Sequence, residues 1–289
     1  MQKLIEVVQK AGRNCVAIGH FNIADLVLLK GVFEAARELK VPVMVGASEG
    51  ERQFAGTRLL AAAVRSLREE FDYPIFLNAD HTHSLASATE AVKAGFDAVV
   101  FDLSALPLEE NAQSTNQAVE ALKSMNPAVV VEGEIGDIGS GSEIHADGPT
   151  PDRALSTPEE ARQFVTETKV DTLAPAVGNS HGMRKSMVTG KERKHLALER
   201  IREIKAATGV PLTLHGGSGT ADEDLKGAIR AGINIIHINT ELRLAWKQGL
   251  EAGLAQRADE VVPYKILPSA VAAVHDVVSA RLRLFGGQN

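Results

Sequence analysis

Three histidines at the ends of apolar runs are the residues of this sequence best suited to bind a metal ion. They are His81 after residues 74–77, His181 after residues 172–174, and His215 after residues 210–214. If the three runs are strands of one sheet, the three imidazoles can meet around a single divalent cation. Three protein ligands that leave one coordination position open are the pattern of a catalytic metal site. The sequence therefore predicts a metal-dependent enzyme.

The elements that would position these histidines repeat along the whole chain. Short apolar runs, each leading to a helical pattern, occupy residues 16–18, 41–45, 75–77, 98–101, 128–131, 172–174, 211–214 and 233–236. Apolar strands without alternation, separated by helices, are typical of a parallel sheet that is covered on both faces. The alternatives are a closed barrel and an open doubly wound sheet.

The closed barrel is the interpretation that the polar residues favour. They recur where the apolar runs end, and only a closed barrel brings all the strand ends to one mouth. The length of 289 residues is close to the ~250 residues of such a barrel. We therefore expect an α/β protein, a (β/α)8 TIM barrel with its active-site loops at the C-terminal face, as one domain over residues 1–289.

The composition argues against several kinds of partner. A formal net charge of −6 gives no basic surface for nucleic acid. No apolar run approaches the ~20 residues that cross a bilayer, and the first residues lack the pattern of a signal peptide. We expect a cytoplasmic protein without membrane contact. The single cysteine, Cys15, is predicted to be a small buried side chain.

Seven segments, in this order, give the sequence a resemblance to a known family. They are residues 20–23, 41–50, 80–81, 101–104, 131–136, 180–182 and 214–219. On these segments the chain resembles the class II (metal-dependent) fructose-bisphosphate aldolases, a family that includes tagatose-bisphosphate aldolases. The resemblance covers nearly the whole chain.

The resemblance implies a set of metal ligands and a catalytic base. Zinc or a related divalent cation would be bound by His81, His181 and His215, with Asp102 and Glu134 touching a second metal position. Asp80 would serve as the acid-base group. Asp102 and Glu134 have the alternative of being ordinary strand-end carboxylates or helix caps.

The resemblance also implies a sugar phosphate substrate, dihydroxyacetone phosphate as one product, and a homo-oligomer such as a dimer or tetramer. The phosphate would be held around Gly182, Gly216, Gly217 and Ser218 and by Lys185 and Thr240. Further substrate contacts would come from Asn22, Ser48, His237 and Asn239. Asn22 and Ser48 have a plain alternative as turn or capping residues, and Lys185 as a solvated lysine. The mixed-charge cluster at residues 191–194 is either a solvated face or a phosphate contact.

Aldol chemistry explains why these residue types are needed. Cleavage of a carbon–carbon bond beside a ketone leaves an enediolate, for which a divalent cation is the electron sink. A carboxylate beside the cation, here Asp80, can take the hydroxyl proton that must leave first. Glu143, in one of two long loops at residues 136–151 and 178–194, is the candidate group for proton exchange on carbon. These loops are lid candidates, with plain surface connections as the alternative.

Two departures from the family pattern bear on the substrate. His237 and Asn239 stand where the family has asparagine and aspartate, and the segment 139–143 has one acid fewer than the family. Both changes touch the substrate rather than the metal, so a ketose phosphate other than fructose 1,6-bisphosphate is a real alternative. Two further hypotheses are a metal-dependent hydrolase on the same fold, suggested by the pair His81 and His83, and a sugar-phosphate-binding protein without turnover.

Overall fold

The apolar runs of the sequence are the strands of a closed parallel barrel in the computed structural model, which describes residues 2–139, 141–148 and 153–287. The barrel strands are β1 Ile18–Asn22, β2 Val43–Ala47, β3 Ile75–Thr82, β4 Ala98–Phe101, β5 Val130–Ile135, β7 Thr172–Pro175, β9 Leu212–Leu214 and β10 Ile233–Ile238. They pair in the order β1-β10-β9-β7-β5-β4-β3-β2. The predicted (β/α)8 barrel is therefore confirmed. The prediction of one domain over residues 1–289 stays a prediction.

Helices alternate with the strands and pack around the barrel, with one helix before the first strand. They are α1 Leu4–Arg13, α2 Leu26–Leu39, α3 Glu49–Ala55, α4 Thr57–Phe71, α5 Leu85–Ala94, α6 Leu108–Met125, α7 Pro158–Thr168, α8 Lys185–Val188, α9 Leu198–Thr208, α10 Asp222–Ala231, α11 Thr240–Gln256, α12 Pro263–Ile266 and α13 Pro268–Phe285. Asp25, Ser84 and Thr157 cap α2, α5 and α7, each by accepting a hydrogen bond from a backbone N–H three residues later. Among the described residues, no helix combines the length and apolar character needed to cross a bilayer.

The interior of the barrel changes from apolar to polar along the strands. The lowest inward layer is Ile18, Met44, Phe76, Ala98, Val130 and Ile235, and α1 packs against it with Leu4, Val7, Val8 and Ala11. Side chains two residues apart on a strand face the same way. The next inward positions are therefore His20, Asn78, Glu132, Thr213 and His237, followed by Asn22, Asp80, Glu134 and His215. The apolar layer closes the bottom of the barrel, and chemistry-bearing groups fill the top.

A second, two-stranded sheet joins the two long loops above the barrel. β6 Ile144–His145 pairs in parallel with β8 Met183–Arg184. Met183 N–H donates to Glu143 O at 2.9 Å, and Ser186 N–H donates to Asp147 Oδ1 at 2.8 Å. The two predicted lid segments are thus bound to each other beside His181.

Two local expectations from the sequence were wrong. Cys15 is exposed rather than buried, because it lies in a left-handed turn (φ 54°) between α1 and β1. The sequence predicts a third strand over residues 75–77, but β3 continues through Thr82. Polar residues at its inward positions hide this continuation in the sequence. Because the strand is longer than predicted, Asp80 and His81 lie within it.

Candidate active site

The three predicted histidines meet at the C-terminal mouth of the barrel, together with Glu134. Each of these four residues offers a ligand atom, and all four atoms lie within 4.8 Å of one another. The ring centroids of His81 and His181 are 4.7 Å apart, as are those of His81 and His215. Side chains from β3, β5 and the segments after β7 and β9 supply this cluster, so the closed barrel is what assembles it.

Carboxylates behind two of the histidines determine which ring nitrogen faces the cluster. Asp102 Oδ2 is 2.8 Å from His81 Nδ1, and Glu132 Oε1 is 2.8 Å from His215 Nε2. His81 Nε2 and His215 Nδ1 consequently face each other at 3.1 Å. A carboxylate behind a histidine is the usual support of a metal ligand, because it fixes the tautomer and the ring orientation.

The donor set fits a divalent cation. Glu134 Oε2 is buried and has no hydrogen-bond partner among the described residues, while it lies 3.3 Å from His215 Nδ1. Burial raises the pKa of Glu134 to about 7, since the neighbouring imidazoles only partly offset the loss of solvent. Burial and the adjacent His81 and His215 lower the pKa of His181 to about 3. A neutral imidazole and a buried, unpaired carboxylate oxygen are groups that a cation stabilises.

His81 has a strained backbone at the centre of this cluster. Its φ of 39° lies in the left-handed region, which a residue with a Cβ rarely adopts. The register of β3 against β4 shifts between residues 79 and 82, where this conformation occurs. Strain of this kind is concentrated at functional sites. Here it turns the His81 imidazole towards His215.

Asp80 lies beside the cluster as an ionised carboxylate. Its Oδ2 accepts a hydrogen bond from Asn22 Nδ2 at 2.9 Å, whereas its Oδ1 is buried, has no hydrogen-bond partner in the described part of the chain, and lies 3.4 Å from His237 Nδ1. Burial acts to raise the pKa of Asp80, but His81, His237 and His20 outweigh it and hold the pKa well below its ordinary value. The free oxygen can therefore accept a proton.

Three imidazoles form a stack on the other side of Asp80. The rings of His20 and His237 are parallel with centroids 3.5 Å apart, and His237 stacks on His215 at 4.1 Å. Gly46 makes room for this stack, because a Cβ there would lie 2.2 Å from a carbon of the His20 ring. Burial lowers the pKa of His20 to about 4 and that of His237 well below its ordinary value. His237 is thus a neutral group with a ring N–H available in the site.

Most of the predicted site residues line one small cavity of about 10 Å³. Those that line it are Asn22, Asp80, His81, His181, Gly182, Gly216, Ser218, His237, Asn239 and Thr240. Ser142 also lines the cavity, and Arg243 Nη1 donates to the Ser142 carbonyl at 3.1 Å. The loop that bears Ser142 therefore forms part of the wall of the site.

The cavity borders on a helix N-terminus and two glycine turns. Thr240 is the first residue of α11, and Ser218 Oγ accepts from the N–H groups of Asn239 and Glu241. Gly182 and Gly216 have φ values of 71° and 61°, which glycine adopts without strain. Backbone N–H groups at such turns and at a helix N-terminus are suited to bind an anion.

Three predicted residues have other positions. Asp102 lies behind His81, and its second oxygen accepts from Ser104, so it orients a histidine instead of joining the four converging ligands. Ser48 is the N-cap of α3, with its hydroxyl 2.8 Å from Glu51. Lys185 is exposed on the short helix α8.

Glu143 and Gly217 also lie beside the cavity without lining it. The Glu143 side chain is exposed, although its carbonyl is bound to the Met183 N–H. The Gly217 N–H donates to the His237 carbonyl at 3.0 Å, which holds the turn after β9 against β10.

Three residues at the site were missed or left unassigned by the sequence. Glu132 supports His215, whereas the sequence suggested for it only the role of a salt-bridge partner. Glu51 is buried and binds Asn22 at 2.8 Å and Arg243 at 2.7 Å, but its capping-box spacing with Ser48 was the only signal. Lys194, within the mixed-charge cluster 191–194, is buried with its ammonium beside the carbonyls that flank His181.

Comparisons with known proteins agree with this site. The sequence model of the family described as "Fructose-bisphosphate aldolase class-II" matches residues 2–289. The chain is 34% identical to a probable fructose-bisphosphate aldolase of Bacillus subtilis, over 99% of this chain and 98% of that protein. It is 35% identical to a 6-phospho-5-dehydro-2-deoxy-D-gluconate aldolase of Shouchella clausii, over 96% of this chain and 92% of that protein.

A solved structure gives the same relationship. The crystal structure of the YdjI aldolase from Escherichia coli K12 superposes with a TM-score of 0.81 at 27% identity. The match covers 100% of this chain and 98% of that one. A family match along almost the entire sequence, together with the histidine cluster at the mouth of the barrel, places the protein: the chain belongs to the class-II fructose-bisphosphate aldolase family, whose members are metal-dependent lyases.

Proposed function

We propose that this aldolase cleaves a ketose phosphate reversibly into dihydroxyacetone phosphate and an aldehyde, with Asp80 as the base. The observation that carries this proposal is the position of Asp80, whose unbonded oxygen lies beside the cluster of His81, Glu134, His181 and His215. A divalent cation bound by that cluster would act as a Lewis acid towards the substrate carbonyl. Zinc is the cation we propose, since imidazole nitrogens are among its usual ligands, and binding by His81, His181 and His215 would leave a coordination position open for the substrate.

The residues of the chain have separable tasks in this reaction. Asp80 Oδ1 takes the proton from the hydroxyl on the carbon beside the bond that breaks, and returns it in the synthetic direction. Asn22 holds the other Asp80 oxygen in place at 2.9 Å. His237 is neutral and donates a hydrogen bond to a substrate oxygen. Glu143 exchanges the proton on carbon once its loop brings the side chain over the cavity.

The phosphate binds at the N-terminus of α11. Thr240 begins this 17-residue helix at the cavity, and the N–H groups around Gly182, Gly216 and Ser218 converge on the same place. The partial positive charge of a helix N-terminus favours a phosphate by roughly 0.3–1 kcal/mol for an exposed group, and more when it is partly buried. Lys185, exposed on α8, is not needed for this contact.

The charge of the site favours a substrate with a single phosphate. Among the described residues that line this small cavity there is no lysine or arginine, so a second phosphate bound within it would meet no paired cation. The Shouchella relative is named for a substrate with one phosphate and a missing hydroxyl. We therefore propose a ketose monophosphate or a deoxy analogue as the substrate of this chain.

A retro-aldol assay tests the function. Purified protein is incubated with fructose 1,6-bisphosphate, tagatose 1,6-bisphosphate, fructose 1-phosphate and 6-phospho-5-dehydro-2-deoxygluconate, and dihydroxyacetone phosphate is measured through a coupled dehydrogenase. We expect cleavage of a monophosphate, loss of activity with a chelator, and recovery with zinc. Cleavage of no ketose phosphate by the metal-loaded protein would refute the proposal.

A homo-oligomeric assembly is a further part of the proposal. Leu26, Phe54 and Leu59 are 69%, 81% and 67% exposed, and large apolar side chains at the surface favour association. Light scattering on the purified protein decides between a monomer and a dimer or tetramer. A monomer at all concentrations would contradict this part without affecting the catalytic assignment.

A further inference from the structure

Lys194 occupies an unusual environment for a lysine. Its side chain is 7% exposed, and its ammonium donates to three backbone carbonyls, those of Ser180, Gly182 and Gly216, at 2.5, 2.6 and 3.1 Å. Buried lysines are rare unless their charge is satisfied. Here the partners are neutral carbonyl oxygens, and no carboxylate forms an ion pair with Lys194 among the described residues.

The main chain of Lys194 is fixed as firmly as its side chain. Its N–H donates to the Gly219 carbonyl at 2.9 Å, and its own carbonyl accepts from the Ala221 N–H at 3.1 Å. The residue therefore runs alongside the segment that follows β9. From there the ammonium reaches across to the turn that bears His181.

The three carbonyls belong to the two turns that form the candidate metal and phosphate sites. Ser180 and Gly182 flank His181, and Gly216 follows His215. One ammonium thus links the turns that bear two of the three histidines. It also lies beneath Gly182 and Gly216, whose N–H groups border the phosphate cavity.

A cluster of backbone carbonyls around a positive charge has a well-known chemical equivalent. Rings of carbonyl oxygens replace the hydration shell of a potassium ion in selective sites, and hard cations prefer oxygen ligands. An ammonium group is a compact monovalent charge with three donors, and it satisfies three carbonyls at once. Burial lowers the pKa of Lys194 to about 8, so the group is still predominantly charged at neutral pH.

We propose that Lys194 is a tethered monovalent cation of the active site, which positions the turns of His181 and His215 and supplies the positive charge under the substrate phosphate. This inference rests on the proposed function only in assigning the cavity to a phosphate. It makes Lys194 a positioning residue, because it touches neither the substrate nor the metal ligand atoms. The protein should accordingly need no free monovalent cation.

The test compares wild type with Lys194→Ala, in which a small cation can enter the space between the carbonyls. Zinc affinity is measured by competition with a chromophoric chelator, and affinity for inorganic phosphate by calorimetry. Both are measured in tetramethylammonium, sodium, potassium and ammonium chloride at equal ionic strength. Tetramethylammonium is too large to enter the carbonyl cluster.

We expect wild type to give the same two affinities in all four salts. Lys194→Ala should bind zinc and phosphate about 10- to 100-fold more weakly in tetramethylammonium, as is typical when a group that orients a metal ligand is lost. Potassium or ammonium should restore most of that loss. The exposed Lys191→Ala is the matched control and should behave as wild type in every salt.

Lys194→Met keeps the length of the side chain without the charge and leaves no space for an ion. We expect the same losses as in the alanine variant, without recovery in any salt. Wild-type affinities in Lys194→Met, a loss in Lys194→Ala that no small cation restores, or a wild type that requires potassium would each overturn the proposal. None of these measurements depends on turnover, so a failure to cleave ketose phosphates would refute the proposed function alone.

Discussion

The imidazoles around Asp80 keep its carboxylate ionised, as its proposed role as the base requires. A carboxylate that is 3% exposed would ordinarily take up a proton, since burial disfavours its charge. His81, His237 and His20 reverse this effect and keep the pKa of Asp80 well below its ordinary value. The group is therefore ionised at neutral pH, and one of its oxygens has no hydrogen-bond partner among the described residues.

Replacement of Asp80 by asparagine should remove the base and leave the rest of the site. We expect kcat to fall about 10²- to 10⁴-fold, the usual contribution of a positioned acid-base group. Zinc content should remain one ion per chain, because Asp80 is not among the four converging ligands. Steady-state kinetics and metal analysis check this, with the exposed Asp276→Asn as control. A near-normal kcat would show that another group is the base.

Glu132 is buried behind His215 and should control how well the metal is held. Its Oε1 contacts His215 Nε2, and its Oε2 accepts from the hydroxyls of Thr172 and Thr213. Glu132→Gln should weaken zinc binding about 10- to 100-fold, because an amide cannot accept from all three groups and His215 loses its fixed orientation. Chelator competition measures this, with the exposed Glu120→Gln as control. Unchanged affinity would argue against the orienting role.

The cluster of His81, His181 and His215 could be predicted from the sequence, but the buried ammonium of Lys194 could not. Each histidine follows an apolar run, and this spacing survives in a single sequence. Lys194 lies in a cluster of alternating charges, a pattern that a solvated surface shares, while Lys185 is nearer to His181 along the chain. Lys194 differs from Lys185 because its ammonium lies within hydrogen-bond distance of three backbone carbonyls, and only the folded chain determines that distance.

The strands could be located in the sequence because their outward-facing residues are apolar. Their C-terminal ends could not be located, because the inward-facing residues change from apolar to polar along the strand. β5 reads Val130, Val131, Glu132, Gly133, Glu134, in which the inward positions turn from apolar to acidic along the strand. The sheet of β6 and β8 was not predicted at all. Two residues per strand provide no periodicity, and the pairing depends on loops that lie far apart in sequence.

Tyr73 joins α2 to the segment before β2. The raised pKa of its hydroxyl predicts a pH dependence of the free energy of unfolding. Its hydroxyl donates to the carbonyls of Ala36 and Val41 at 2.5 and 2.6 Å. Burial raises its pKa from 10.0 to about 12. Between those values the unfolded chain loses the tyrosine proton while the folded chain keeps it bound, so the free energy of unfolding falls as pH rises.

Tyr73→Phe should lack this alkaline loss. At neutral pH the variant should be less stable by about 1 kcal/mol, the usual net value of a hydrogen bond. The difference from wild type should shrink between pH 10 and pH 12, and urea unfolding across that range measures it. Parallel stability curves for the two proteins would show that the hydroxyl does not titrate with folding.

Closure of the barrel is the property of the whole chain on which the site depends. The polar residues after separate strands suggested a common mouth, and the strand order confirms that the ring closes between β1 and β2 and between β1 and β10. The four converging ligands come from residues 81 to 215, a span that includes β3 to β9. No shorter part of the chain brings them together, so metal binding reports on the global fold.

Metal removal should consequently lower the stability of the entire protein. A ligand that binds only the folded state stabilises it by about 4 kcal/mol when its concentration is a thousand times its Kd. For a chain of this size that corresponds to a fall in Tm of roughly 5–15 °C when a chelator removes the ion. The loss should be reversed by zinc, because the buried Glu134 then regains its positive partner. His215→Ala, which lacks one ligand, should start from a lower Tm and respond little to the chelator. A wild type whose Tm is unchanged after metal analysis proves removal would show that the four side chains hold no structural or catalytic ion.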